Sequence, residues 1–149
     1  MIIRKIKKSD AKQVAKLLQK EFGPGYKTIR FKERWVVQKI KYPGDRFLVA
    51  IDSNQLIGNI RACLIDYDLA ELRNIVVAEE WRKKGIGTKL VKEMLKKLKK
   101  EKVRKVIIKV IATNKIAINM FKKLGFVKEG HFHNHFRNGE DVIQMCKFL

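Results

Sequence analysis

Residues 72 to 98, L-R-N-I-V-V-A-E-E-W-R-K-K-G-I-G-T-K-L-V-K-E-M-L-K-K-L, constrain the chain more than any other stretch. The apolar run Ile75-Val76-Val77 reads as a buried strand. A polar, basic turn with two glycines, R-K-K-G-I-G at 82–87, interrupts it. A helix follows at once, with Ile86, Leu90, Val91, Met94, Leu95 and Leu98 at helical spacing. Strand, basic glycine turn and helix N-terminus, in that order, form an anion-binding arrangement. The first amides of a helix have no internal partner, and the helix dipole makes that end positive. Glycines let a phosphate approach the backbone, while Arg82, Lys83 and Lys84 add charge.

Two common phosphate loops do not fit. A Walker loop requires G-x-x-x-x-G-K-S/T, whereas Gly85-Ile86-Gly87-Thr88-Lys89 has neither the gap nor the order. A dinucleotide fingerprint requires a third glycine where Leu90 stands.

The remaining elements are read from periodicity and turn residues. Ile2 to Lys7 is expected as a strand, with Ile2 and Ile6 on one face. Ser9 or Asp10 is expected to cap a helix over 11–22, stopped by Gly23-Pro24-Gly25. A second helix over about 31–41 carries Trp35, Val36 and Ile40. Phe47–Ile51 and Leu56–Ile65 form a hairpin through Asp52-Ser53-Asn54-Gln55. After Asp66–Ala70 comes the central strand, then the helix ending in Lys97, Lys99 and Lys100, which suit a helix C-terminus. Val103–Ala112 is a β-branched strand, 115–124 a helix stopped by Gly125, and Phe126–His131 and Asp141–Phe148 a last pair of strands. A loop containing Arg137-Asn138-Gly139-Glu140 joins that pair.

The pattern R/Q-x-x-G-x-G after a strand resembles motif A of the GNAT superfamily, the acetyl-CoA-dependent N-acetyltransferases. Residues 114–126, N-K-I-A-I-N-M-F-K-K-L-G-F, are similar to that family's motif B, N-x-x-A-x-x-F/Y-Y/F-x-x-x-G-F. The element order β-α-α-β-β-β-α-β-α-β-β is also that of the family, so the resemblance spans essentially the whole chain. It implies an α/β fold of the GNAT type, with a mixed, mostly antiparallel sheet flanked by helices, in one domain over residues 1–149. That length suffices for a full core.

The resemblance implies that acetyl-CoA binds between the central strand and the Val103–Ala112 strand. By position, Ile75, Val76 and Val77 line the pantetheine arm, and the Val77 amide polarises the thioester carbonyl as an oxyanion donor. Arg82, Lys83, Lys84, Gly85, Ile86, Gly87 and Thr88 match the pyrophosphate turn. Asn114, Ala117 and Phe121 match cofactor positions of motif B.

Acetylating an amine requires its neutral form, and a lysine amine has a free pKa of about 10.4. A base must take the proton. Glu71, at the start of the central strand and four residues before Ile75, is the first candidate. Histone-type lysine acetyltransferases, which this stretch resembles, carry their base at that spacing. Strand alternation would place Glu71, Arg73, Ile75 and Val77 on one face, and the bland alternative pairs Glu71 with Arg73. Two departures from the family stand out. Lys109 occupies the position at which ribosomal-protein and N-terminal acetyltransferases carry a glutamate base. Phe121 replaces the usual motif B tyrosine acid. A thiol of pKa about 8.5 leaves readily without an acid, and Tyr67 is a further acid candidate.

His131, His133 and His135 tempt a metal reading. Alternate strand residues stand about 6.7 Å apart, so two could share an ion but three hardly could. No metal is expected; a substrate-facing loop or a base is the alternative use of these rings. Trp35 and Trp81 are expected to pack in the core or cleft rather than to cage a ligand.

The net charge of +20 suits either a nucleic-acid or ribosome partner or a lysine-rich solvated surface. No apolar run nears the roughly 20 residues of a membrane helix, and the N-terminus lacks a signal-peptide core. Cys63 and Cys146 read as buried reduced thiols, and a cytoplasmic location is expected. The expected activity is acetyl transfer to an amine, with a protein or peptide acceptor favoured. A small-molecule acceptor, or a catalytically weak nucleic-acid-binding module, is the alternative. Dimers are common in the family, so a homodimer is compatible with this reading.

Overall fold

The computed structural model describes residues 1–23, 30–136 and 139–149. Pro24, Gly25, Arg137 and Asn138, expected in turns, lie outside the described residues. The strands and helices are β1 (Ile2–Lys5), α1 (Ala11–Phe22), α2 (Glu33–Lys41), β2 (Asp45–Asp52), β3 (Gln55–Asp66), β4 (Leu69–Val77), α3 (Ile86–Lys100), β5 (Lys105–Ile111), α4 (Lys115–Lys123), β6 (Val127–Phe132) and β7 (Val142–Phe148). This is the expected order. The seven strands are hydrogen-bonded in the order β1-β2-β3-β4-β5-β7-β6, with β4–β5 parallel and β1–β2, β2–β3, β5–β7 and β6–β7 antiparallel.

Contacts cluster into two compact units, Met1–Cys63 with Arg73–Met94, and Leu64–Leu72 with Leu95–Leu149. In the first unit, Val14, Leu17 and Leu18 of α1 bury against Val36, Phe47, Val49, Leu56 and Val76. Each such side chain contributes roughly 1.5–3 kcal/mol of transfer free energy. Trp35 and Trp81 pack against this cluster, as expected. The β2–β3 hairpin closes through Ser53 and Asn54 at φ 44° and 65°. Positive φ at both central residues is the turn that matches strand twist.

The start of the chain departs from expectation. β1 stops at Lys5, and a 3₁₀ turn, Lys8–Asp10, precedes α1. Ile2 is 66% exposed while Ile6 is buried, so the two do not share an inward face. Asp10 makes no side-chain cap to α1. Its carboxylate instead accepts from the Lys7 amide at 2.7 Å and from the two terminal Arg4 guanidinium nitrogens, Nη1 and Nη2, at 2.7 and 2.9 Å. Arg4 chiefly holds this carboxyl below its usual range.

A buried charge pair lies between β2 and β3. Arg61 Nε stands 3.6 Å from Asp45 Oδ1, with side chains 4% and 1% exposed, and the guanidinium lies 5.5 Å from the Trp35 ring. Two charges this far from water must be paired.

In the second unit, β4 meets β5 from Leu69↔Lys105 to Leu72↔Ile108, and β5 pairs with β7 along its whole length, from Lys105↔Phe148 to Ile111↔Val142. β5 therefore has a partner on both sides over Lys105–Ile108, and Val106, Ile107, Ile108 and Val110 are buried. α4 ends in a left-handed Gly125, with φ 85°, and the Phe126 amide donates to the Phe121 carbonyl at 3.0 Å. Cys63 and Cys146 are free thiols.

Candidate active site

Three local arrangements carry chemistry: the basic turn before α3, a carboxylate–ammonium pair on β4 and β5, and a histidine cluster at the end of β6.

The basic turn belongs to the first unit. After β4 and a 3₁₀ turn, Glu79–Trp81, the chain bends through Lys83 at φ 59° and Gly85 at φ 74°. The first α-helical bond of α3 runs from the Lys89 amide to the Gly85 carbonyl at 3.0 Å. The amides of Ile86, Gly87 and Thr88 therefore precede the hydrogen-bond ladder and point out of the helix end. Arg82, Lys83, Lys84 and Gly85 are exposed, and a Cβ built on Gly85 would meet nothing within 4 Å. An open turn, free amides and exposed cations suit a pyrophosphate. Ile86 contributes only its amide, because its side chain is 4% exposed and anchors the helix.

Arg82 is not simply a loose cation. Its Nε donates to the Val77 carbonyl at 3.1 Å, and its terminal Nη2 pairs with the Glu21 carboxylate of α1. This bridge ties the turn to β4 and α1, and Glu21 was not foreseen. Lys84 donates to the Glu80 carbonyl at 3.2 Å and lies 4.7 Å from the Trp81 ring, leaving Lys83 as the turn's outward cation.

The strand feeding this turn is not regular. Asn74, within β4, takes φ 52°. A left-handed residue interrupts the two-residue period, and asparagine tolerates it better than most. The expected shared face of Glu71, Arg73, Ile75 and Val77 does not run unbroken. Glu71 is buried and Arg73 exposed, while Ile75 and Val77 are only half-buried beside a buried Val76. Asn59, fully buried on β3, supports the break by donating Nδ2 to the Asn74 carbonyl at 2.6 Å. Gly58 allows the strands to approach there, since a Cβ would lie 2.8 Å from the Val76 carbonyl oxygen. The signal for both was a Gly-Asn pair inside the apolar run L-I-G-N-I.

Glu71 belongs to the second unit. It is 5% exposed, and its Oε1 stands 3.6 Å from Lys109 Nζ on β5. Lys109 is thus an ion-pair partner of Glu71 across the β4–β5 boundary. It supplies a cation to a carboxylate on the neighbouring strand. Tyr67 is 85% exposed on the turn before β4.

Motif B also lies in the second unit. Asn114 Oδ1 accepts the Ala117 amide at 3.1 Å and so caps α4. Ala117 is half-buried. Phe121 is 3% exposed and packs edge-on against Phe126, with ring centroids 5.2 Å apart. Its side chain therefore serves the core of that unit.

In the third arrangement, His131 and His133 stack with centroids 4.5 Å apart and planes 23° from parallel. His135 packs instead near Phe132 and Phe136, at 5.6 and 5.0 Å. The two stacked rings meet Asp141, whose Oδ2 lies 2.8 Å from His131 Nε2 and 3.2 Å from His133 Nδ1. Asp141 Oδ1 accepts the Asn134 amide at 2.9 Å. That amide first, then His131 and His133, holds the carboxyl down to about 2.

The family model described as "Acetyltransferase (GNAT) family" matches residues 11–126. An N-alpha-acetyltransferase of Saccharolobus solfataricus is 26% identical, with 99% of this chain and 92% of the relative covered. A ribosomal-protein-alanine N-acetyltransferase from Brucella melitensis superposes with a TM-score of 0.87 at 22% identity, covering all of both chains. An aminoglycoside 6'-N-acetyltransferase complexed with coenzyme A superposes at 0.83 and 22%, covering 99% of this chain and 97% of that one. With the family model spanning most of its length, and with the strand–turn–helix and capped motif B in place, the chain belongs to the GNAT family of acyltransferases, enzymes that use acetyl-CoA.

Proposed function

We propose that this enzyme acetylates the α-amine of proteins or peptides, acting in the cytoplasm as one catalytic domain. The observation that carries the reading is the end-to-end match to an N-alpha-acetyltransferase, which leaves no large part of either chain unmatched. The chemistry agrees. A free α-amine has a pKa of about 7.7–8.0, against about 10.4 for a lysine side chain, so at neutral pH far more of it is nucleophilic.

Acetyl-CoA supplies a thioester-activated acetyl group. The free amides of Ile86, Gly87 and Thr88, with Lys83, Lys84 and Gly85, would bind its pyrophosphate. Arg82 would hold the turn in shape through Glu21 and Val77. The Val77 amide is the proposed donor to the carbonyl oxygen, with Ile75 and Val76 beside it along the pantetheine arm. Asn114 caps α4, and with Ala117 it would contact the coenzyme, while Phe121 would act only through packing. Glu71 takes the proton of the acceptor amine, directly or through water, and Lys109 is the cation that faces its carboxylate before the transfer. As the amine nitrogen bonds to the carbonyl carbon, the C–S bond breaks and the thiolate leaves; solvent can protonate it.

The test offers the enzyme acetyl-CoA with four acceptors: a peptide with a free N-terminus, the same peptide N-blocked with lysine present, a polyamine and an aminoglycoside. Modification of the free α-amine alone, located by tandem mass spectrometry, is the expected result. Faster turnover of the aminoglycoside or polyamine would assign the acceptor to small molecules instead.

A further inference from the structure

The histidine cluster has no part in the acetyl transfer described above, and its geometry suggests a separate use. β6 delivers His131 and Phe132, and His133 and Asn134 begin the turn. Alternate residues of an extended segment project to the same side, which brings the His131 and His133 rings together. The hairpin then returns. Phe132 pairs with Val142, so the preceding residue, Asp141, arrives beside both rings.

We propose that His131 Nε2, His133 Nδ1 and Asp141 Oδ2 form a surface site for a borderline first-row divalent cation such as Zn²⁺. The three donor atoms lie within 4.8 Å of one another. The two nitrogen-to-oxygen separations, 2.8 and 3.2 Å, are close to the edge of a zinc tetrahedron, about 3.3 Å for bonds of roughly 2.0–2.1 Å. The nitrogen-to-nitrogen separation is bounded at 4.8 Å, and His133, 81% exposed on its side chain, is free to swing its ring inward to shorten that edge. Two imidazoles and one carboxylate suit Zn²⁺, Co²⁺ or Ni²⁺, whereas Mg²⁺ and Ca²⁺ favour all-oxygen shells.

The site is also supported from behind. The Asn134 amide fixes Asp141 Oδ1 and so aims Oδ2 at the rings, as outer hydrogen bonds do around metal ligands. Asn134 sits at φ 47°, a left-handed conformation suited to asparagine. Ligation requires each ring to carry its proton on the other nitrogen. For neutral rings this is a change of tautomer, with no net proton release. Three protein ligands leave a fourth position open to water. The chain's charge of +20 disfavours casual cation binding, so a retained ion would report ligand geometry rather than loose attraction.

The experiment titrates ZnCl₂ into the full chain by calorimetry in a non-chelating buffer, with MgCl₂ as control. Co²⁺ spectra report the ligand type. One equivalent of Zn²⁺ should bind, Mg²⁺ should not, and Co²⁺ should lack a thiolate charge-transfer band. His133→Ala and His131→Ala should each weaken Zn²⁺ binding roughly tenfold or more, and His135→Ala should leave it unchanged. His133→Ala is the deciding variant, because its exposed ring bears little on folding. The proposal fails if the unaltered chain does not bind Zn²⁺, if His133→Ala binds equally well, if His135→Ala costs as much, or if Co²⁺ reports a cysteine ligand.

Discussion

Glu71 is a carboxylate nearly removed from water, and its partner Lys109 stands on a different strand. Burial beside a cation serves either a structural ion pair or a proton acceptor held ready, and a substitution separates them. If Glu71 is the base, Glu71→Gln should lower kcat/KM about 10²–10⁴-fold, with acetyl-CoA affinity almost unchanged. Steady-state kinetics at saturating acetyl-CoA checks this; unchanged turnover would leave Glu71 a purely structural partner of Lys109. The Asp45–Arg61 pair is the opposite case, with no chemistry attached. Arg61→Ala strands the Asp45 carboxylate, 1% exposed, and should cost about 3–5 kcal/mol. That loss would appear as a lower urea midpoint with an unchanged slope. A shift of a few tenths of a kcal/mol would mean that water or a neighbour rescues the carboxylate.

The proposed pyrophosphate contact lies at the first turn of α3, so its test is at the level of the element. Gly87→Glu would put a carboxylate among the free amides of that turn. We expect coenzyme A affinity to fall by at least tenfold in calorimetric titration, with the melting temperature nearly unchanged; equal affinity would move the cofactor site elsewhere. The strands and helices around this turn were legible because their apolar periods are long and their stops are chemically marked, as at Ser53-Asn54 and Gly125. What could not be read were features decided by non-local pairing. Asn74 looks like one polar residue in a β-branched run, and its left-handed bend depends on Asn59 fifteen positions earlier. Asp141 is silent in sequence until β7 pairs with β6 and brings it to His131. Lys109, by contrast, was recognisable as a departure, although its role beside Glu71 required the β4–β5 register.

At the scale of the whole molecule, charge dominates. Asp10 and Asp141 both have folded pKa values held below their ordinary 3.8. The stability they contribute is therefore complete above that value and disappears as pH falls through the folded ones, for Asp141 between 3.8 and about 2. Protonating the chain's 15 Asp and Glu residues also leaves its 35 Lys and Arg uncompensated. Both effects have the same sign, so thermal unfolding should be nearly flat from neutral pH to about 5 and should collapse below about 4; a melting temperature insensitive to acid would contradict it. The same excess of cations predicts how the enzyme meets polyanions. RNA binding that is only electrostatic loses affinity with a slope of about −0.7 per neutralised phosphate in log K against log salt. Acetyl-CoA should behave differently, because the proposed contacts to helix amides and to the β4 backbone do not depend on bulk charge. Titrations of RNA, ATP and acetyl-CoA over a salt series should therefore separate. RNA and ATP should fade together, whereas acetyl-CoA should persist. If all three fade together, the lysines alone bind phosphate and the turn before α3 adds no selectivity. If RNA persists at high salt with acetyl-CoA, the surface carries a nucleic-acid contact beyond charge, and the acceptor would then be sought among proteins that reside on RNA.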